Sequence, residues 1–180
     1  AERAVRIAVY GQDLETAIEV AQRWVELEPE RIEARQVIAA IYVRQDKPDA
    51  AFGYIDGLIE TSDLDDAQLF PPLLGVLARE KNIETVLGVS QRLADKYPDR
   101  AYAQYLHGML AAQNGKAELS LEYLDRSLAL EEIDGVHAAR ARVLLRLGRS
   151  GEAVVSLEKA VDSNPGNQNL RLTYARLLVD

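Results

Sequence analysis

One pattern recurs five times along this 180-residue chain at nearly constant spacing, and it limits the fold more tightly than any other property. Small or aliphatic residues stand at Ala17, Ala51, Val86, Ser120 and Ala153, separated by 34, 35, 34 and 33 residues. Seven positions after each come Trp24, Leu58, Leu93, Ser127 and Ala160, and beside them Val25, Ile59, Ala94, Leu128 and Val161. Twelve positions after each anchor are Pro29, Asp63, Pro98, Glu132 and Pro165. Five before it are Gln12, Asp46, Lys81, Gly115 and Gly148, types that turns tolerate. The stretch Gly148–Pro165 shows a turn, then Ala153, Leu157, Ala160 and Val161 on one face of a 3.6-residue period, then a proline stop. A fixed interval of this length predicts stacked two-helix units whose core grows with each unit instead of closing around one centre.

Bulk properties narrow the function. Formal net charge is −8, which argues against non-specific nucleic-acid binding because phosphates are repelled at long range. There is no cysteine, hence no disulfide framework, no thiolate metal site and no cysteine nucleophile. The longest uncharged apolar stretch, Leu69–Ala78, falls far short of the ~20 residues a spanning helix needs, so this segment is not expected to insert in a membrane. The chain opens at Ala1 already in helical pattern and stops at Asp180 without a cap, which reads as a piece of a longer protein. A sixth helix begins near 168; Leu170, Leu172, Tyr174, Leu177, Leu178 and Val179 make it too apolar for a terminal cap. That predicts further repeats or self-association through this face.

No constellation suggests catalysis. His107 and His137 lie thirty residues apart at core-type positions, and Asp134-Gly135 interrupts the helix between His137 and the carboxylates of Glu131 and Glu132. Gly148-Arg149-Ser150-Gly151 lacks the strand and the Gly-Lys-Ser/Thr ending of a phosphate loop. Ser90, Ser120 and Ser127 fill small inward positions with no base at a predictable distance. Glu15 and Glu19 read as a hydrated face. No catalytic residue, metal ligand or cofactor is expected. Pro71 and Pro72 fall several residues after a cap at Asp65 or Asp66, so that helix is expected to start late, near Phe70, or to bend there.

The 34-residue period, with its A-x3-(large)-x2-(small)…P pattern, resembles the tetratricopeptide repeat over the whole chain. First helices keep the likeness less regularly: Ile38, Ala39 and Tyr42 in the second unit and Gly108 in the fourth follow it. The family's tryptophan is replaced by Arg35, Phe70, Gln104 and His137. The resemblance implies an all-α right-handed superhelix, an α-solenoid of about five helix-turn-helix repeats plus one extra helix. A single array over 1–180 divides at about 1–31, 32–65, 66–100, 101–133, 134–167 and 168–180, giving eleven helices. It also implies a groove lined by first helices, which here carry Arg6, Gln36, Arg44, Arg79, Tyr102, Tyr105, Met109, Gln113, Arg142, Arg146 and Arg176.

Arginine forks suit carboxylates, and aromatics with methionine give adaptable apolar contact. The implied function is a non-enzymatic scaffold that binds a protein or peptide segment of acidic character. Arg44, Arg79 and Arg146 also suit helix C-terminal ends without any ligand. The asparagines of the chaperone-tail carboxylate clamp are missing. A rival reading is a self-associating module, a homo-oligomer; another is a regulatory region of a larger enzyme. The arginine-, alanine- and leucine-rich style resembles bacterial envelope repeat proteins and points to the periplasm or outer membrane, with the cytoplasm as alternative.

Overall fold

The computed structural model describes residues 13–28, 31–133 and 135–179. Ten helices account for most of them, and no strand occurs among the described residues. The first helix of the opening repeat, with Arg6, lies outside the described residues. The chain divides into two compact units, Ala1–Asp95 and Lys96–Asp180. The division falls a few residues before the expected boundary between the third and fourth repeats.

The first unit contains α1 (Leu14–Leu27), α2 (Ile32–Arg44), α3 (Pro48–Thr61), α4 (Asp66–Leu77) and α5 (Ile83–Lys96, whose last residue belongs to the second unit). Asp13 starts α1 by accepting from the Thr16 backbone N–H at 3.0 Å. Ala17, Ala21 and Trp24 then form its buried face at i, i+4 and i+7. Helix α2 packs against α1, α3 and α4. Both of its sides are covered, so its buried set, from Ala34 through Val43, runs nearly all the way round. The second unit repeats the scheme with α6 (Ala101–Gln113), α7 (Ala117–Leu130), α8 (Val136–Arg146), α9 (Ser150–Ser163) and α10 (Gln168–Leu177). Each helix packs on the next, and α6 also meets α8.

All five anchor residues, Ala17, Ala51, Val86, Ser120 and Ala153, are buried. For Ala51, Ser120 and Ala153 the reason is close approach: the second helix packs here against its own first helix. Among the described glycines the closest approach is at Gly108 on α6, where a Cβ would lie 3.1 Å from Leu124 Cγ and 3.2 Å from its backbone nitrogen. Turns repeat too. Asp46, Gly115 and Gly148 occupy the same slot and all adopt positive φ, at 55°, 74° and 71°. The slot's fourth member, Lys81, follows the single 35-residue interval, and the extra residue builds a different turn in which Ile83 N–H donates to Lys81 C=O. Gly148→Ala should therefore cost about 1 kcal/mol through left-handed strain. Gly151→Ala, at an ordinary helical position with open space around the new Cβ, should be neutral to stabilising. Paired urea melts check the difference.

Asp46 tolerates its left-handed backbone because its side chain is used. Thr85 Oγ1 donates to it, as does Asn82 Nδ2 at 3.0 Å, and these bonds hold its carboxyl below the ordinary carboxylate range. The expected late start of α4 does not occur. Asp65 caps the helix by accepting from Gln68 N–H at 2.8 Å, and the helix runs from Asp66 through Pro71 and Pro72. Both prolines lie on its exposed side, as do Ala67 and Gln68, whose carbonyls lose their helical donors to the proline rings. Leu69, Phe70, Leu73 and Leu77, all buried on the other side, hold the helix in place.

The missing tryptophans are replaced mostly by side chains that tie helices to neighbouring segments. Gln104 Nε2 donates to the carbonyls of Tyr97 and Pro98 at 3.3 and 3.5 Å, and His137 Nε2 lies 2.8 Å from Glu132 Oε2. Arg35 donates to Thr61 Oγ1 at 2.6 Å. His107 is fully buried with its ring edge-on to Tyr123, centroids 4.3 Å apart. Both histidines thus serve packing.

Candidate protein-binding site

In the second unit, Tyr102, Tyr105 and Met109 follow one another at i, i+3 and i+7 on α6. All three are half-buried and pack on the cluster formed by Leu121, Leu124, Val143 and Leu144. Arg142 and Arg146 stand one turn apart on α8, both exposed. The two stripes adjoin. Arg146 Nη1 donates to the Ala112 carbonyl at 2.7 Å, reaching the last turn of α6. Burial raises the Tyr105 phenol above its ordinary value, while the nearby Arg142 charge pulls it back. At neutral pH the phenol is therefore an O–H donor beside a guanidinium. Arg142 bonds through Nε to Ala138 C=O at 3.2 Å on its own helix. Arg176, one repeat length further on, is exposed on α10.

The remaining sequence candidates lie in the first unit. Arg44, at the end of α2, makes a two-point bond to Glu80, Nε to Oε2 at 2.6 Å and Nη2 to Oε1 at 2.8 Å. The Glu80 side chain is only 4% exposed, so this arginine neutralises a buried carboxylate. Arg79 is exposed just beyond α4. Gln36 is buried inside the hairpin stack and lines no open face, contrary to the sequence expectation. The partners Glu80 and Ala112 were not anticipated, although each lies about one repeat from its arginine, 36 and 34 residues away. Glu80 is an opposite charge about one repeat from Arg44, whereas the Ala112 carbonyl is backbone and leaves no signal in the sequence.

Among the described residues no group of three or more His, Asp or Glu side chains is placed to hold a metal ion. No described helix is long and apolar enough to cross a membrane.

Stacked hairpins, with arginines set beside half-buried aromatics, define the class as an all-α repeat protein of the α-solenoid kind. Residues 135–167 match the family model described as tetratricopeptide repeat. That stretch is a tetratricopeptide repeat (TPR), and the chain is similar to TPR proteins. It is 27% identical over 178 residues to the TPR repeat-containing protein PA4667 of Pseudomonas aeruginosa, covering 97% of this chain and 29% of that protein. The chain thus spans less than a third of that relative's length. Among solved structures it is similar to TTC0263, a thermophilic TPR protein of Thermus thermophilus, at 21% identity and TM-score 0.56 with 99% of each chain covered. It is also similar to YrrB, a TPR protein with an unusual peptide-binding site, at 18% identity and TM-score 0.55, covering 96% of this chain and 88% of that one. Likeness at these identities speaks to the fold. TPR proteins are typically non-catalytic scaffolds for protein–protein interaction.

Proposed function

We propose that this protein is a non-enzymatic adaptor whose α6–α8 face receives an acidic, partly apolar protein segment. The observation that carries this reading is the junction of Tyr105 and Arg142. A buried-side phenol donor and an exposed guanidinium converge there, beside the Tyr102–Met109 stripe. Carboxylates of an extended segment would meet the two donors, and its apolar side chains would lie on Tyr102 and Met109. Arg146 and Arg176 extend the same basic register. Arg79 offers a further exposed cation in the first unit, and Arg44 is held back by Glu80.

The test is a titration of a fluorescein-labelled peptide of alternating glutamate and leucine. The charge reversal Arg142→Glu with Arg146→Glu should weaken binding by at least about tenfold and flatten its salt dependence, with helicity unchanged. Unchanged affinity would discard the basic face as the docking site.

A second reading, homo-association, is favoured by α10 alone. None of its residues is buried, and Leu172, Leu178 and Val179 are 51%, 58% and 87% exposed. Light scattering tests it: a dimer that Leu172→Glu with Leu178→Glu dissolves supports it, and a monomer at all concentrations removes it.

A further inference from the structure

Arg142, on which the proposed site turns, also lines a cavity of about 190 Å³ in the second unit. The cavity opens where the start of α8, the end of α9 and the start of α10 come together. Ile133, Ala138 and Ala160, all buried, and the half-buried Leu170 give it apolar walls. A cavity of about 150 Å³ lined by aliphatic side chains takes up a benzene ring, so this one has room for a single leucine-sized side chain.

The charge that faces the cavity has one sign. No Asp or Glu stands among its described lining residues, and Arg142 is the one permanently charged side chain there. His137, which shares the wall, is bonded through Nε2 to Glu132 at 2.8 Å. Arg142 spends Nε on Ala138 C=O at 3.2 Å, and neither of its Nη groups has a hydrogen-bond or ion-pair partner among the described residues. Arg44, by contrast, is neutralised by Glu80. Helix ends add to the positive side: α8 and α10 begin at the cavity, behind Gly135 and Asn167, while α9 alone ends there. An apolar side chain next to a carboxylate satisfies the walls and the free Nη donors together, whereas a basic side chain would meet the unpaired guanidinium.

We infer that this cavity continues the α6–α8 site and selects its partner, an inference that rests on the reading of that face as the docking site. The carboxylate held by Arg142 is followed in the docked segment by a leucine-sized aliphatic side chain, which seats between Ile133, Ala138 and Leu170. The partner is thereby narrowed from an acidic, partly apolar segment to one with an acid directly beside a bulky aliphatic residue.

Anisotropy on the full 180-residue chain tests this with the glutamate–leucine peptide and a glutamate–alanine peptide of equal length and charge. The leucine peptide should bind at least about tenfold more tightly. Leu170→Gln should cut that margin at least about threefold while leaving the alanine peptide's affinity unchanged; α10 has no buried residue, so the fold tolerates the change. Ala138→Leu, which fills the cavity, should cut the margin likewise, with a thermal melt to confirm folding. A margin that neither variant moves, or equal binding of the two peptides, would overturn the inference. The docking site itself would still stand if Arg142→Glu with Arg146→Glu weakened the leucine peptide. No binding of that peptide, or no response to the charge reversal, would remove the docking site and the inference with it.

Discussion

Leu124→Ala is expected to destabilise the second unit by about 2–5 kcal/mol, read as a lowered urea midpoint with unchanged slope. Leu124 is fully buried on α7 and sits directly on the bare backbone of Gly108 in α6. Removing it leaves a void whose opposite wall has no side chain to move in. Gly108→Ala should partly refill that void in the Leu124→Ala background. In the unsubstituted protein the same change forces a Cβ to about 3.1 Å from Leu124 Cγ and costs stability. The reversal of sign between the two backgrounds is the signature of direct contact, and a double-mutant cycle measures it. Additive effects would mean that α6 and α7 do not meet at this pair.

Ala153→Leu should cost about 1–3 kcal/mol through overpacking. Ala153 is fully buried in the small slot where α9 presses on α8, and Ala51 holds the corresponding slot on α3. Ala51→Leu should show a loss of similar size. Val155→Leu, two residues from Ala153 but 53% exposed, should stay within about 0.5 kcal/mol of the parent. A neutral melt for Ala153→Leu would place the repeat register elsewhere.

These two experiments bear on the part of the fold that was legible in the amino-acid sequence. Steric exclusion allows only small residues where helices approach most closely, so the anchors leave a periodic mark that a single sequence displays. Left-handed turn slots leave a similar mark, as Gly115 and Gly148 show. Choices made by side-chain reach leave none that is local. The pairing of Arg44 with Glu80, the reach of Arg146 to Ala112 and the ties of Gln104 and His137 to the loops before them depend on which groups stacking brings near. Proline chemistry misled the expectation of a late start for α4 for a related reason. The local penalty at Pro71 and Pro72 falls on the solvent side, and burial of Phe70 and Leu73 on the other side outweighs it.

The candidate site was legible to the same degree. Tyr102, Tyr105 and Met109 could be assigned to one helical face from their spacing, and Arg142 and Arg146 to another. Their adjacency is tertiary and comes from the packing of α6 on α8. Among the arginines, only the structure separates Arg44, held by a buried carboxylate, from the exposed Arg142.

Met109 is the chain's one methionine, so a ¹³C-methyl methionine sample gives a single resonance inside the proposed site. Titrating the glutamate–leucine peptide should shift that resonance saturably, with the same midpoint as anisotropy, and Arg142→Glu with Arg146→Glu should abolish the shift. A peptide that binds by anisotropy while the Met109 methyl stays unmoved would contradict the placement of the binding face on α6 and α8.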